Sequence, residues 1–124
     1  METIAHSTYL IGHPTIKKKV SGKFEADEFG LEFKYGMGKK ALFPWVNIIS
    51  IKNITHNEYS ALGATLGYAM LGIFGALLTS KVNIKVFIIT YIDDKRLTNN
   101  VIFEAGNVPK TINKMNQLRY KYHR

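Results

Sequence analysis

The strongest constraint on the fold is a change of hydrophobic period along the chain. Phe29, Leu31, Phe33 and Tyr35 recur at every second position against Gly30, Glu32 and Lys34, the mark of a strand with one buried face. Near the end of the chain the spacing shifts to threes and fours, through Val108, Ile112, Met115, Leu118 or Arg119, and Tyr122. That spacing lines one face of a helix. Asn107 can cap it and Pro109 suits its first turn, so residues 107–122 are predicted to be helical.

The other segments carry the strand period. Residues 16–24 place Ile16, Val20 and Phe24 on one face and Lys17, Lys19 and Lys23 on the other. Residues 26–28 are a polar break, and Gly36 and Gly38 mark a turn. Residues 40–43 open a third strand, and Pro44, which has no N–H to donate, predicts a strand end or an edge. Residues 46–55 are rich in β-branched side chains and predict a fourth strand. Residues 82–92 are almost all β-branched or aromatic on both faces: Val82, Ile84, Val86, Ile88 and Ile92 share one face, interrupted only by Thr90. The charged turn 93–96 then returns the chain as a strand over 97–104. One packing satisfies this order. It is a mainly β domain in which a strongly bent antiparallel sheet buries its inner face and the terminal helix plugs the open end. The 124 residues, 46% hydrophobic and 21% charged, suffice for one such core, and residues 1–124 are expected to form a single domain.

One stretch departs from this pattern. Residues 59–80 contain no charged side chain, and at about 1.5 Å per helical residue they could just cross a bilayer. Gly63 and Gly67 form a GxxxG, followed by Gly72 and Gly75, and glycine at that spacing lets helices approach closely. A single crossing would place the two β-patterned halves on opposite sides of the membrane, where neither makes a stable sheet alone. Residues 61–79 are therefore expected to be helical in at least part, with both ends on the same side of the domain. Its apolar surface would be covered by protein, by a second copy of the chain or by a membrane. The expected contact residues are Gly63, Gly67, Leu71, Gly72, Phe74 and Gly75.

Charge and residue chemistry narrow the function classes. Seventeen Lys and Arg against nine Asp and Glu give a net charge of +8, which favours anionic partners. There is no cysteine, so a disulfide scaffold, a thiolate metal site and a cysteine nucleophile are excluded. His6, His13, His56 and His123 lack metal-ligand spacing, and His13-Pro14 is expected to be a turn. Asp93 and Asp94 sit at a hairpin tip, away from any cleft, and the glycines carry no phosphate-loop pattern. Trp45 beside Pro44 is expected in the core or at its rim. Lys110, Lys114, Gln117, Lys121 and Arg124 line one face of the predicted helix, either as an anionic-surface patch or as an ordinary solvated face. Lys17–Lys19, with Lys39 and Lys40, have the character of edge-strand lysines. No helix-turn-helix, aromatic RNP-like pair or zinc module is present, so nucleic acid is not an expected partner. No enzyme activity, cofactor or metal is expected.

Four stretches in this order carry a resemblance: Tyr9-Leu10-Ile11-Gly12-His13-Pro14, Asp27-Glu28-Phe29-Gly30-Leu31-Glu32-Phe33, Phe43-Pro44-Trp45-Val46-Asn47-Ile48-Ile49-Ser50-Ile51, and Val101-Ile102-Phe103-Glu104. Over most of residues 9–122 the chain resembles the pleckstrin-homology-like (PH-like) superfold in its small bacterial form, the bacterial PH or GRAM-like proteins. The resemblance implies a split barrel or bent antiparallel sheet with a C-terminal helix and, here, an apolar glycine-rich insert at about 59–80. It implies a non-enzymatic binding or scaffold module at or near the cytoplasmic membrane face, including roles in self-protection against secreted antimicrobial peptides or in envelope stress. Small bacterial PH-like domains also form rings, so the alternative is a soluble homo-oligomer with a protein-interaction role and no membrane contact. Lipid-binding PH domains carry basic residues around the first hairpin turn; in this chain that turn holds Glu25, Asp27 and Glu28.

Overall fold

The computed structural model describes residues 2–53 and 86–122. Its strands are β1 (Glu2–Ile11), β2 (Val20–Ala26), β3 (Gly30–Lys34), β4 (Lys40–Pro44), β5 (Ile48–Asn53), β6 (Val86–Ile92) and β7 (Thr98–Ala105). A 3-10 turn, Trp45–Asn47, links β4 to β5, and one helix, α1 (Val108–Tyr122), follows β7. The strands form one seven-stranded antiparallel sheet in the order β4-β3-β2-β1-β7-β6-β5.

That order dictates the bend. β4 and β5 lie on opposite edges of the sheet, yet only Trp45–Asn47 separates them. Six inter-strand spacings in a flat sheet span about 29 Å, whereas the chain from Pro44 to Ile48 reaches at most about 14 Å. The sheet must therefore roll until its edges approach. The concave side holds an aromatic core in which Phe24, Phe33, Phe43, Phe87 and Phe103 are wholly buried. Phe103 lies at its centre, with ring centroids 4.7 Å from Phe24, 5.0 Å from Phe33, 5.6 Å from Phe87 and 5.7 Å from Tyr9.

The helix closes the open end as its period predicts. The Asn107 side-chain oxygen accepts the Lys110 N–H at 3.1 Å, a cap bond. Val108, Thr111, Ile112, Met115 and Leu118 turn inward. On β5, an edge strand, the Arg119 guanidinium donates to the carbonyls of Ile48 and Ile49 at 2.8 and 3.1 Å, and the Asn116 amide donates to the Ile51 carbonyl at 3.3 Å. Helix side chains thus take up edge carbonyls that no further strand among the described residues satisfies. The architecture is mainly β, a bent, unclosed antiparallel sheet with a single C-terminal helix, and it is consistent with the PH-like fold.

Several sequence expectations need correction. β1 was not anticipated, although it is ten residues long and central. Its pairing shifts register between Thr3 and Ala5 and again between Tyr9 and Ile11, and such bulges destroy the period-two signal. Ile16 belongs to the core but lies before β2, which begins only at Val20. The Tyr9 hydroxyl donates to the Ile16 carbonyl at 3.0 Å and accepts the His13 N–H at 2.9 Å, which fastens this connection down. Phe29 does not share the buried face of Leu31 and Phe33; it lies in the turn before β3, 75% exposed. The predicted strand over 46–55 begins at Ile48, because Val46 and Asn47 are taken up in the 3-10 turn.

Asn53 of β5 and Phe87 of β6 are register partners. The chain therefore leaves and re-enters the sheet at the same end of one hairpin, and both halves of the protein share one continuous sheet. The expectations placed on residues 59–80, and on Val82 and Ile84, fall outside the described residues. Among the described residues, no helix is long and apolar enough to cross a membrane.

Candidate functional site: an apolar groove beside an open sheet edge

The β2–β3 turn builds one wall of the site. The Asp27 carboxylate accepts the N–H groups of Phe29 and Gly30 at 2.9 and 3.2 Å, a local Asx arrangement. This turn directs Phe29 to the surface. Gly30 then lies so close to β4 that a Cβ there would sit 2.3 Å from the Phe43 carbonyl oxygen. Trp45 fixes the turn to the end of β4: its backbone N–H donates to the Phe29 carbonyl at 3.0 Å and its indole N–H to the Asp27 carbonyl at 2.8 Å. The Trp45 ring is buried and stacks on Tyr122 at the end of α1, with centroids 6.4 Å apart.

Between these pieces lies a groove of about 560 Å³. Phe43 and Trp45 form part of its lining, and Phe29, Leu42, Val46 and Tyr122 rim it. The rim is open: Phe29 is 75%, Val46 73% and Leu42 54% exposed. So much apolar surface gathered in one place marks an interaction site rather than scattered exposure.

The edge of the sheet runs along the groove. Register partners of β3 and β4 are Gly30–Pro44, Leu31–Phe43, Glu32–Leu42, Phe33–Ala41 and Lys34–Lys40. The Trp45 N–H on the Phe29 carbonyl and the Tyr35 N–H on the Lys39 carbonyl set the alternation of the ladder. Ala41 and Phe43 spend their backbone groups on β3, so the N–H and C=O of Lys40 and Leu42 point away from the sheet. Pro44 shares that outward set and offers only a carbonyl, as expected of a proline at an edge.

Electrostatics distinguish the groove from the rest of the molecule. Asp27, Glu28 and Glu32 line it, and no basic side chain among the described residues does. Glu32 stands directly across from Glu25 of β2. Lys34 and Lys23 hold both Glu25 oxygens, at 2.8 and 3.1 Å. Lys34 first and Lys23 second keep the Glu25 carboxyl below its ordinary range. Among the described residues Glu32 is paired with Lys40 alone, 3.2 Å from Oε1. Its Oε2 is buried and has no hydrogen-bond partner among the described residues, and the residue as a whole is 7% exposed.

The residues singled out in the sequence lie elsewhere. Lys110, Lys114 and Lys121 do share α1, but Lys114 is bound to Glu2 at 2.6 Å and the Lys121 ammonium sits 5.0 Å above the Tyr122 ring. Arg124, Gly63, Gly67, Leu71, Gly72, Phe74 and Gly75 fall outside the described residues. Lys17 donates to the Pro14 carbonyl at 3.1 Å. His13 stacks on Tyr91, with centroids 6.0 Å apart, and its Nδ1 accepts the Thr15 N–H at 3.1 Å. Burial lowers the His13 pKa, against a smaller opposing pull from Asp93. Burial, aided by Asp93 and Asp94, pushes the Tyr91 phenol up to about 12. Among the described residues, no group of three or more His, Cys, Asp or Glu side chains could hold a metal ion. The sequence reading missed Phe29, Glu32, Leu42 and Val46 as a site. The available signal was Glu32 and Leu42 at outward positions on strands whose neighbours face inward.

No family model matches the chain, and no curated protein matches it. Among solved structures the chain is similar to PLC21 of L. pealei, with a TM-score of 0.56 and 12% identity over 98% of this chain and 15% of that one. The chain spans a small part of that protein's length, and at this identity the likeness shows the fold alone.

Proposed function

We propose that the protein is a non-enzymatic binding module of the bacterial PH-like kind, working on the cytoplasmic side and engaging a protein partner through the groove beside β4. The observation that carries this reading is the convergence of exposed Phe29, Leu42 and Val46 at a sheet edge that no strand pairs with among the described residues. A PH-like sheet holds these residues rigidly, as a recognition surface needs. Panning a random peptide display library on the folded protein tests it. Selected peptides should lose binding to Leu42→Asp and Val46→Asp variants that retain the native circular dichroism spectrum. Selected peptides that bind both variants undiminished would place recognition elsewhere.

A second reading is favoured by the Asn53–Phe87 register, which brings the two ends of residues 54–85 to one hairpin. The uncharged run 59–80 would then mediate self-association or contact with a membrane face, the setting in which a self-protection or envelope-stress role would operate. Replacing Gly67 and Gly72 with Leu should lower the mass measured by light scattering, or release the protein from the membrane fraction, while the β domain stays folded. A soluble monomer before and after the change refutes this second reading.

A further inference from the structure

The groove poses an electrostatic question that an apolar recognition surface leaves unanswered. The chain carries a net charge of +8, yet the groove is lined by Asp27, Glu28 and Glu32. Asp27 satisfies its turn. Glu32 is different: it is buried, it faces Glu25 across the strand pair, and its Oε2 has no partner among the described residues. A buried carboxylate oxygen without a donor is costly in the free protein, and a ligand that brings a donor would remove that cost.

From this orphaned oxygen and the open edge of β4 we infer that the groove docks an extended protein segment carrying a lysine or arginine. The segment adds as a strand to β4, its cation reaches Glu32, and an apolar side chain two positions away fills the space between Phe29, Val46 and Tyr122. The inference rests on the binding-module reading above and names the chemistry of the partner. Main-chain bonds come from the outward N–H and C=O of Lys40 and Leu42, the mode in which a peptide extends a sheet. A residue added opposite Leu42 lies two strand spacings, about 9.6 Å, from Glu32, within reach of a lysine or arginine laid over the Leu42 side chain. The next side chain on the same face, two residues along, falls beside Pro44 and the apolar rim. Lys40 already holds Oε1 at 3.2 Å, so the incoming cation takes the Oε2 side of the carboxylate.

Trp45 is the only tryptophan and lines the groove, so its emission reports occupancy. The probe is a capped heptapeptide, Ser-Phe-Thr-Lys-Thr-Val-Ser, titrated into the full chain. Comparison peptides carry Glu in place of Lys, or an N-methylated central backbone that cannot pair as a strand. The Lys peptide should shift Trp45 emission and move the Lys40 and Leu42 amide resonances. The Glu peptide should bind about tenfold more weakly, the scale of one charge-assisted bond, and the N-methylated peptide should not bind. Glu32→Gln and Glu32→Leu, each checked for a native spectrum, should erase the preference for Lys over Glu. Equal binding of the Lys and Glu peptides at the groove overturns the inference and leaves the binding-module reading intact. Failure of display-selected peptides to need Leu42 and Val46 is what removes that reading. Trp45 emission that responds to phosphatidylcholine vesicles and to none of the peptides overturns the inference in favour of a membrane surface.

Discussion

Replacing Glu32 with Leu should stabilise the fold even as it removes the charge from the groove. The wild-type residue is 7% exposed and leaves Oε2 without a partner among the described residues, a penalty of about 1–3 kcal/mol for a buried unsatisfied polar atom. The substitution sacrifices the contact between Oε1 and Lys40, whose side chain is 55% exposed; ion pairs of that kind contribute about 0–1 kcal/mol. It also removes the like charge facing Glu25, and Leu continues the apolar surface of Leu42 and Phe29. The balance is a gain of about 1–2 kcal/mol. With a urea m-value of about 1.5–2 kcal/mol/M for a domain of this size, the midpoint should rise by roughly 0.5–1.3 M at unchanged m. Glu32→Gln should gain less, because the amide keeps a carbonyl oxygen in the same unpartnered place. A Leu variant that loses more than about 0.5 kcal/mol at constant m would show that the carboxylate is satisfied in solution, and the cost assigned to Oε2 would be wrong.

Three further outcomes follow from the packing. Phe103→Ala removes a wholly buried ring that touches Phe24, Phe33, Phe87 and Tyr9, and calorimetry or urea unfolding should show a loss of about 3–5 kcal/mol; a loss under about 2 would contradict the central place given to this ring. Arg119→Met deletes the two bonds to the Ile48 and Ile49 carbonyls but keeps the apolar stem, so unfolding should show a loss of about 1–2 kcal/mol, with hydrogen exchange accelerated first in β5 and α1. His13 has a depressed pKa in the folded protein, chiefly from burial, so the unfolded chain takes up the proton first, near pH 6.5. Its contribution is complete above that pH and is lost as the pH falls below it. His13→Gln should therefore flatten the fall in urea midpoint between pH 7.5 and 5.5, and an equal fall in both proteins would refute the assignment.

How much of this was legible before the structure depends on the physics of each element. The terminal helix was, because one helix must bury one stripe and cap its own first turn: Asn107, Val108, Ile112, Met115 and Leu118 do so in the structure. The β3 strand and the charged hairpin at 93–96 were legible for the same local reason. In the hairpin the Asp93 carboxylate accepts the N–H groups of Lys95 and Leu97, both at 2.9 Å, and Arg96 takes the left-handed φ of 64° that closes the turn. β1 was not legible, since its two bulges answer to partners distant in sequence, β2 and β7. Pro44 announced an edge, but which neighbour would lie beside it was not encoded locally.

The sequence by itself determined the strand and helix periods, the balance of charge, the absence of thiol chemistry, and the bent sheet with its closing helix as the one packing able to hide those faces. These follow from backbone geometry and from apolar surface that must leave water. Only the tertiary structure decided that β4 and β5 are the two edges, that three residues between them roll the sheet, and that Arg119 closes one edge while the other stays open among the described residues. Only the tertiary structure put Glu32 opposite Glu25, with one oxygen unpartnered. The physical reason is that pairing across a sheet depends on register between residues far apart in the chain. Burial of a charge, and with it the character of the groove, is a property of that assembled surface and not of any single segment.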